Sequence, residues 1–309
     1  MRRCLLPALL AVVSVGCSVE ESSSSSKRIV ANGSSTVGPI TSMMAEHFEE
    51  THPEVQVPVK ITGTGSGFKA FAEGSSDISN ASRKIKDSEK EACEAAGVEY
   101  VELTVAMDGI SVIVNKDNDF IDAITTADLK KIWEPGSKVK TWKDVKPEWP
   151  AEEIKLYGPG RESGTFDYFT KKINGEEGAT RDDYTPSGDD NLLVTGVAGD
   201  KYALGYFGFG YYAQNKDRLK LLPVSSTDTV DDAVTPSVES IQSGTYSPLG
   251  RPVFVYVNTE SLKRTEVAEF LTYYLGEGQS SVSEVGCVPM SATDQKASQD
   301  ALAKALEDE

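Results

Sequence analysis

From Arg28 onward, short apolar runs alternate with longer stretches in which apolar residues recur every three or four positions. The first kind predicts strands and the second amphipathic helices. "RIVANGSSTVGPITSMMAEHFEETHP" begins with a short strand and turns through Asn32-Gly33-Ser34-Ser35-Thr36. It then enters a helix whose Ile40, Met43, Met44 and Phe48 share a face, and Pro53 closes it. "VQVPVKIT" is the next strand, "GTGSG" a glycine-rich turn, and "FKAFAEG" a short helix with Phe68 and Phe71 inward. "VELTVAMDGISVIVN" is a long strand-like run interrupted only by Asp108-Gly109, and "TTADLKKIW" opens a helix with a capping box from Thr125 to Asp128. In "GPGRESGTFDYF", Phe166, Phe169 and later Ile173 fall on one helical face, so a helix begins near Ser163. "DDNLLVTGVAGD" reads as helix, "YALGYFGFGYY" and "RPVFVYVN" as strands. "EVAEFLTYYL" is a helix with Val267, Phe270, Leu271 and Tyr274 inward, and "DALAKALED" is a last helix. Strands separated by helices make an α/β protein.

The recurrent unit is strand, donor-rich turn, helix. The first turn of a helix carries unpaired N–H groups at its positive end, which suits an anion. Arg161, two positions before Ser163, adds a cation to one such turn. The glycine turn is not a P-loop, because Phe68 separates Gly67 from Lys69, and its G-x-G-x-G spacing is not the dinucleotide fingerprint. No serine sits in G-x-S-x-G, and His47 and His52 flank one helix end away from any cysteine cluster, which excludes a histidine triad or a zinc site there. The carboxylates are many and scattered. No catalytic residue, metal ligand or cofactor is expected.

The 309 residues exceed what one compact core usually needs, so two lobes are expected. The formal net charge of -17 argues against nucleic acid. Arg2 and Arg3, the apolar run Leu5 to Val15 and Gly16-Cys17 read as an export signal over residues 1–16. Gly16-Cys17 resembles a lipoprotein processing site, with Cys17 lipidated and the chain held to a membrane, although leucine is absent three places before the cysteine. The serine-rich segment 17–27 is a flexible tether. Of four cysteines, Cys4 leaves with the signal and Cys17 takes the lipid, so an oxidising compartment suggests a bond between Cys93 and Cys287.

The segments "NGSSTVGP", "GTGSGF", "SDISNASR", "DGISVIVN", "GPGRESGTFDYF" and "ALGYFGFGYY", in this order, resemble the substrate-binding protein of the bacterial phosphate ABC transporter. The resemblance spans nearly all of residues 28 to 292. It implies a type II periplasmic-binding-protein fold, two lobes joined by two crossing strands, enclosing inorganic phosphate for delivery to an inner-membrane permease. Lobe 1 would be 28–106 plus 254–309 and lobe 2 would be 107–253, the whole an exported monomer. Matching positions make Ser35, Thr36 and Ser66 donors from lobe 1, and Arg161, Ser163, Gly164 and Thr165 donors from lobe 2. The best-known branch has an aspartate after Ala-Ser, where this chain has Arg83. Arg83 is therefore either a second cation near the ligand or an exposed charge, and the acceptor falls to Asp108, with Asp77 as the alternative. Two other readings stay open: a receptor for another tetrahedral oxyanion such as sulfate, and an exported phosphatase or esterase.

Overall fold

The computed structural model describes residues 27–307; the signal segment and Cys17 lie outside the described residues, as does the tether up to residue 26. The apolar runs become strands β1 (Ala31–Gly33), β2 (Val59–Ile61), β3 (Ile78–Ala81), β4 (Tyr100–Asn115), β5 (Lys155–Pro159), β6 (Thr185–Ser187), β7 (Ala203–Gly208), β8 (Leu219–Leu222) and β9 (Gly250–Asn258). The amphipathic runs become helices α1 (Gly38–Thr51), α2 (Thr64–Ala72), α3 (Asp87–Ala95), α4 (Thr126–Trp133), α5 (Gly164–Ile173), α6 (Asp190–Ala198), α7 (Thr265–Leu275) and α8 (Ala292–Glu307). The segment read as one strand around Tyr206 stops at Gly208, and Phe209–Ala213 turns helical.

Among the described residues the nine strands join in the order β2-β1-β3-β9-β4-β7-β5-β6, with β8 also paired to β4. Strand β4 is common to both halves. Its residues 100–109 pair antiparallel with β9, from Tyr100 opposite Asn258 to Gly109 opposite Gly250, while residues 110–115 pair with β7 and β8. Val288 bridges to Met107 and packs into the second half's core, a further crossing between the halves.

Side chains alternate across each strand, so every half has helices on both faces. On β9, Val253, Val255 and Val257 pack with Ile40, Met44 and Phe48 of α1 and with Phe270 and Tyr274 of α7. The opposite face presents Phe254 and Tyr256 to Phe68 and Phe71 of α2. In the second half, Val112, Val114 and Tyr206 pack with Trp133 and Phe169, and on the other face Ile113 and Phe207 pack with Leu193 and Val197 of α6. The helical periodicities read from the sequence face these cores, except Phe166, which is buried beneath the Arg161 side chain.

The disulfide is a correction. Cys93 and Cys287 are both free and buried. Cys287 packs on the valine face of β9 and Cys93 on the Phe254–Tyr256 face, so the sheet itself stands between two sulfurs that a bond would hold roughly 2 Å apart. Burial pushes both thiols above their ordinary pKa, which makes them poor nucleophiles.

Candidate functional site

The donor-rich turns of the two halves meet where β4 and β9 cross. In the first half the chain passes from β1 to α1 through Ser34-Ser35-Thr36, and Ser34 Oγ accepts the N–H groups of Thr36 at 3.1 Å and Val37 at 3.3 Å. This side-chain turn folds three polar residues into a helix start. Helix α2 starts at Thr64 after Gly63, whose φ of 90° favours glycine. Thr64 Oγ1 accepts the Ser82 N–H at 3.2 Å and lies 3.2 Å from Ser82 Oγ. In the second half α5 starts at Gly164, and its cap Ser163 accepts the Thr165 N–H at 3.1 Å.

These three starts touch across the halves. Thr36 Oγ1 lies 3.2 Å from Thr165 Oγ1, and the Gly65 N–H donates to the Glu162 carbonyl at 3.2 Å. A Cβ on Gly164 would stand 2.5 Å from Ser82 Oγ and 2.6 Å from Thr64 Oγ1, so only glycine lets α5 come this close to α2. The result is a set of hydroxyls and helix N-termini facing one place, the arrangement that receives an anion.

One cation completes it. Arg251 stands directly opposite Asp108 in the β4–β9 register and its side chain is fully buried. Its Nε and Nη2 donate to Asp108 Oδ2 at 3.1 and 2.9 Å, its Nη1 to the Gly164 carbonyl at 3.0 Å, and its Nη2 also to Thr165 Oγ1 at 2.7 Å. Asp108 Oδ1 accepts the Phe209 N–H at 3.3 Å. Either charge buried alone would be costly, but paired and hydrogen-bonded they are tolerated.

The structure places the residues expected from sequence as follows. Ser35, Thr36, Ser163, Gly164, Thr165 and Asp108 come together. Ser66 does not: it is exposed on α2, and the hydroxyl at that helix start is the buried Thr64. Arg161 does not either. Its side chain is 59% exposed, pairs with Asp182 at 2.9 Å and donates to the Gly178 carbonyl at 3.3 Å, so the surface loop receives it instead of the cleft. Arg83 is not an exposed charge; it is buried, with Glu89 on both terminal nitrogens and Asp167 on Nε, each at 2.7 Å. Asp77 lies before β3, at the end away from Ser82, and accepts Val30 N–H and Ser261 Oγ, each at 2.7 Å.

Sequence reasoning missed Arg251, Thr64 and Asp190. A lone arginine inside the apolar run "RPVFVYV" and a hydroxyl directly after Gly63 were the available signals. Asp190, the first residue of α6, is buried, and its Oδ2 accepts Ser35 Oγ at 3.2 Å. Burial drives its pKa up to about 7; the Ser35 hydrogen bond opposes this, the charge of Asp108 adds to it, and Arg251 counters.

Comparison with known proteins agrees with this geometry. The model of the PBP superfamily domain matches residues 18–277. Protein SphX of Synechococcus elongatus is 44% identical over 94% of this chain and 86% of its own length. The phosphate-binding protein PstS of Staphylococcus saprophyticus is 40% identical over 85% of this chain and 80% of its own. This chain belongs to the PBP superfamily, as a PstS-like substrate-binding protein. Among solved PstS-like structures, a possible phosphate binding protein from Planctomyces limnophilus superposes with a TM-score of 0.68 at 44% identity, covering 91% of this chain and 99% of that one. A Clostridium perfringens structure holding phosphate, assigned as a phosphate ABC transporter substrate-binding protein, gives 0.69 at 26% identity over 86% and 100%. The two-lobed periplasmic-binding-protein architecture follows.

Asp190 makes stability depend on pH. A carboxyl raised from 3.8 to about 7 holds more protons in the folded than in the unfolded chain between those values. The contribution of Asp190 to stability therefore falls as pH rises from about 4 to about 7, then levels. Asp190→Asn keeps an acceptor for Ser35 and loses the titration, so its advantage over wild type should grow across that window toward at most about 4 kcal/mol. Denaturant unfolding of both proteins at several pH values measures this. Parallel pH profiles would show the Asp190 charge to be solvated.

Proposed function

We propose that this chain is a high-affinity receptor that closes around one inorganic phosphate and delivers it to an ABC-type permease, without chemistry on the ligand. The observation that carries the reading is the convergence of three helix starts on the buried Arg251–Asp108 pair at the strand crossing. The names and the bound phosphate of the relatives support it. The ligand set is Ser35, Thr36, Thr64, Asp108, Ser163, Gly164, Thr165 and Arg251. Thr64 takes the place first given to Ser66, and Arg251 that given to Arg161. The partition of the cores supports lobes of 28–106 with 254–309 and of 107–253, save that Val253 packs in the first core and Val288 in the second. The receptor acts as a monomer outside the cytoplasm, tethered through a lipid on Cys17. Among the described residues no helix is long and apolar enough to cross a membrane.

Asp108 supplies the selectivity. Oδ2 accepts both Arg251 bonds, whereas Oδ1 keeps a further lone pair beyond the bond from Phe209 N–H. A phosphate proton can be donated there, whereas sulfate has none and meets only repulsion.

Isothermal titration with phosphate and sulfate tests the whole set. Wild type should bind phosphate and reject sulfate. Arg251→Ala should weaken phosphate by about 30-fold or more, about 2 kcal/mol, because it breaks a charge-assisted contact in a desolvated cleft, while Arg161→Ala should cost less than about threefold. The reverse ranking would return Arg161 to the site. Asp108→Asn should narrow the preference for phosphate and Asp77→Asn should not. A wild type that takes sulfate as readily makes the ligand a different oxyanion, and turnover of a phosphate ester would make the chain an enzyme.

For the anchor, cells fed labelled fatty acid should incorporate it into the full chain and not into Cys17→Ala. Equal labelling of the two, or no labelling of either, would refute lipidation at Cys17.

A further inference from the structure

The face of the cleft around Asp167 holds a second charge network that spans the halves. Asp167 lies in the first turn of α5, two residues beyond Thr165, and is 5% exposed. Its Oδ2 accepts Arg83 Nε and Lys86 Nζ, each at 2.7 Å, both from the first half, where Arg83 follows β3 and Lys86 caps α3. Lys86 Nζ also lies 3.3 Å from Glu177 of the second half. Glu89, on α3, binds Nη1 and Nη2 of Arg83 with its two oxygens at 2.7 Å each and accepts the Lys86 N–H at 2.8 Å.

The two carboxylates have different tasks. Glu89 grips the guanidinium fork bidentately from within its own half, so Arg83 stays paired and oriented whether or not the halves are together. Its Nε edge is thereby held toward the second half. Asp167 meets that edge and the Lys86 ammonium only when the start of α5 is seated against the first half. The same helix turn carries Gly164 and Thr165.

We propose that Arg83, Lys86 and Asp167 form a latch between the halves, positioning residues that hold the N-terminus of α5 over the ligand and set how slowly it leaves. The proposal rests on the phosphate-receptor reading. Arg83 acts on the ligand through Asp167, not by touching it. The latch closes with the cleft, so its loss is felt in release more than in encounter.

The test is stopped-flow kinetics of phosphate binding and release on full-length wild type, Asp167→Asn and Asp167→Glu, with thermal melts of the ligand-free proteins. Asp167→Asn should release phosphate about tenfold faster or more, with association within about threefold of wild type and a ligand-free melting temperature within about 2 °C. Asp167→Glu should recover part of the slow release, since it restores the charge. Rising salt should speed release from wild type more than from Asp167→Asn, a difference that simple loss of packing would not produce. Wild-type release rates in Asp167→Asn, or identical salt dependence, would overturn the latch alone. No phosphate binding by wild type would overturn the latch together with the receptor reading.

Discussion

Asp108 and Arg251 face each other on the two strands that run between the halves, and the geometry of the cleft follows from that pairing. The antiparallel register of β4 and β9 puts them opposite one another, and complete burial leaves each dependent on the other. A slip of one residue would strand both charges in apolar surroundings, so the pair resists it at a cost of several kcal/mol. The remaining N–H groups of Arg251 reach the Gly164 carbonyl and Thr165 Oγ1, which ties the start of α5 to the crossing. Thr165 in turn meets Thr36 at the start of α1. The register also shifts between Val253 and Phe254, leaving Val105 without an opposite residue. Such bulges raise local twist, here just before β4 leaves one half for the other.

Closeness across the cleft is set by side chains that are missing. At Gly164 an added Cβ would enter the hydroxyls of Ser82 and Thr64, and at Gly63 it would stand 2.7 Å from the Glu162 carbonyl. The glycine-rich turn, which on sequence grounds lets a backbone approach an anion, thus brings the backbones of the two halves together, with Gly65 N–H bonded to that same carbonyl. Glycine here serves closure first and the ligand through it.

What was legible in the sequence was local. Repeats such as Ile40, Met43, Met44 and Phe48, or Phe166, Phe169 and Ile173, report which face of a helix is buried, and each of these residues is buried. Hydroxyls at helix starts were legible for the same reason, since a cap and its helix are neighbours in the chain. The misplaced residues depended on tertiary context. Arg161 is next to the Ser163 cap in sequence yet leans onto the 178–182 loop, whereas Arg251, far away in sequence, arrives through strand pairing. Cysteine counting fails likewise, because it ignores the sheet lying between Cys93 and Cys287. Arg83 was undecidable because its partners, Glu89 and Asp167, belong to two helices on different halves.

A chain with a formal net charge of -17 that binds an anion has to solve an electrostatic problem, and the arrangement of its buried charges addresses it. Asp108 is offset by Arg251, and Arg83 with Lys86 is offset by Glu89 and Asp167. Asp190, raised to about 7, is partly protonated near neutrality. The interior therefore carries little net charge, while the acidic exterior is screened over about 8 Å at physiological ionic strength. Attraction for the ligand must then come from the N–H groups of Arg251, hydroxyls, backbone N–H groups and helix N-termini, all of which act only at short range. Such a site responds weakly to the total charge of its ligand and strongly to the direction of each hydrogen bond. That is why one carboxylate among donors can separate two tetrahedral anions of similar size.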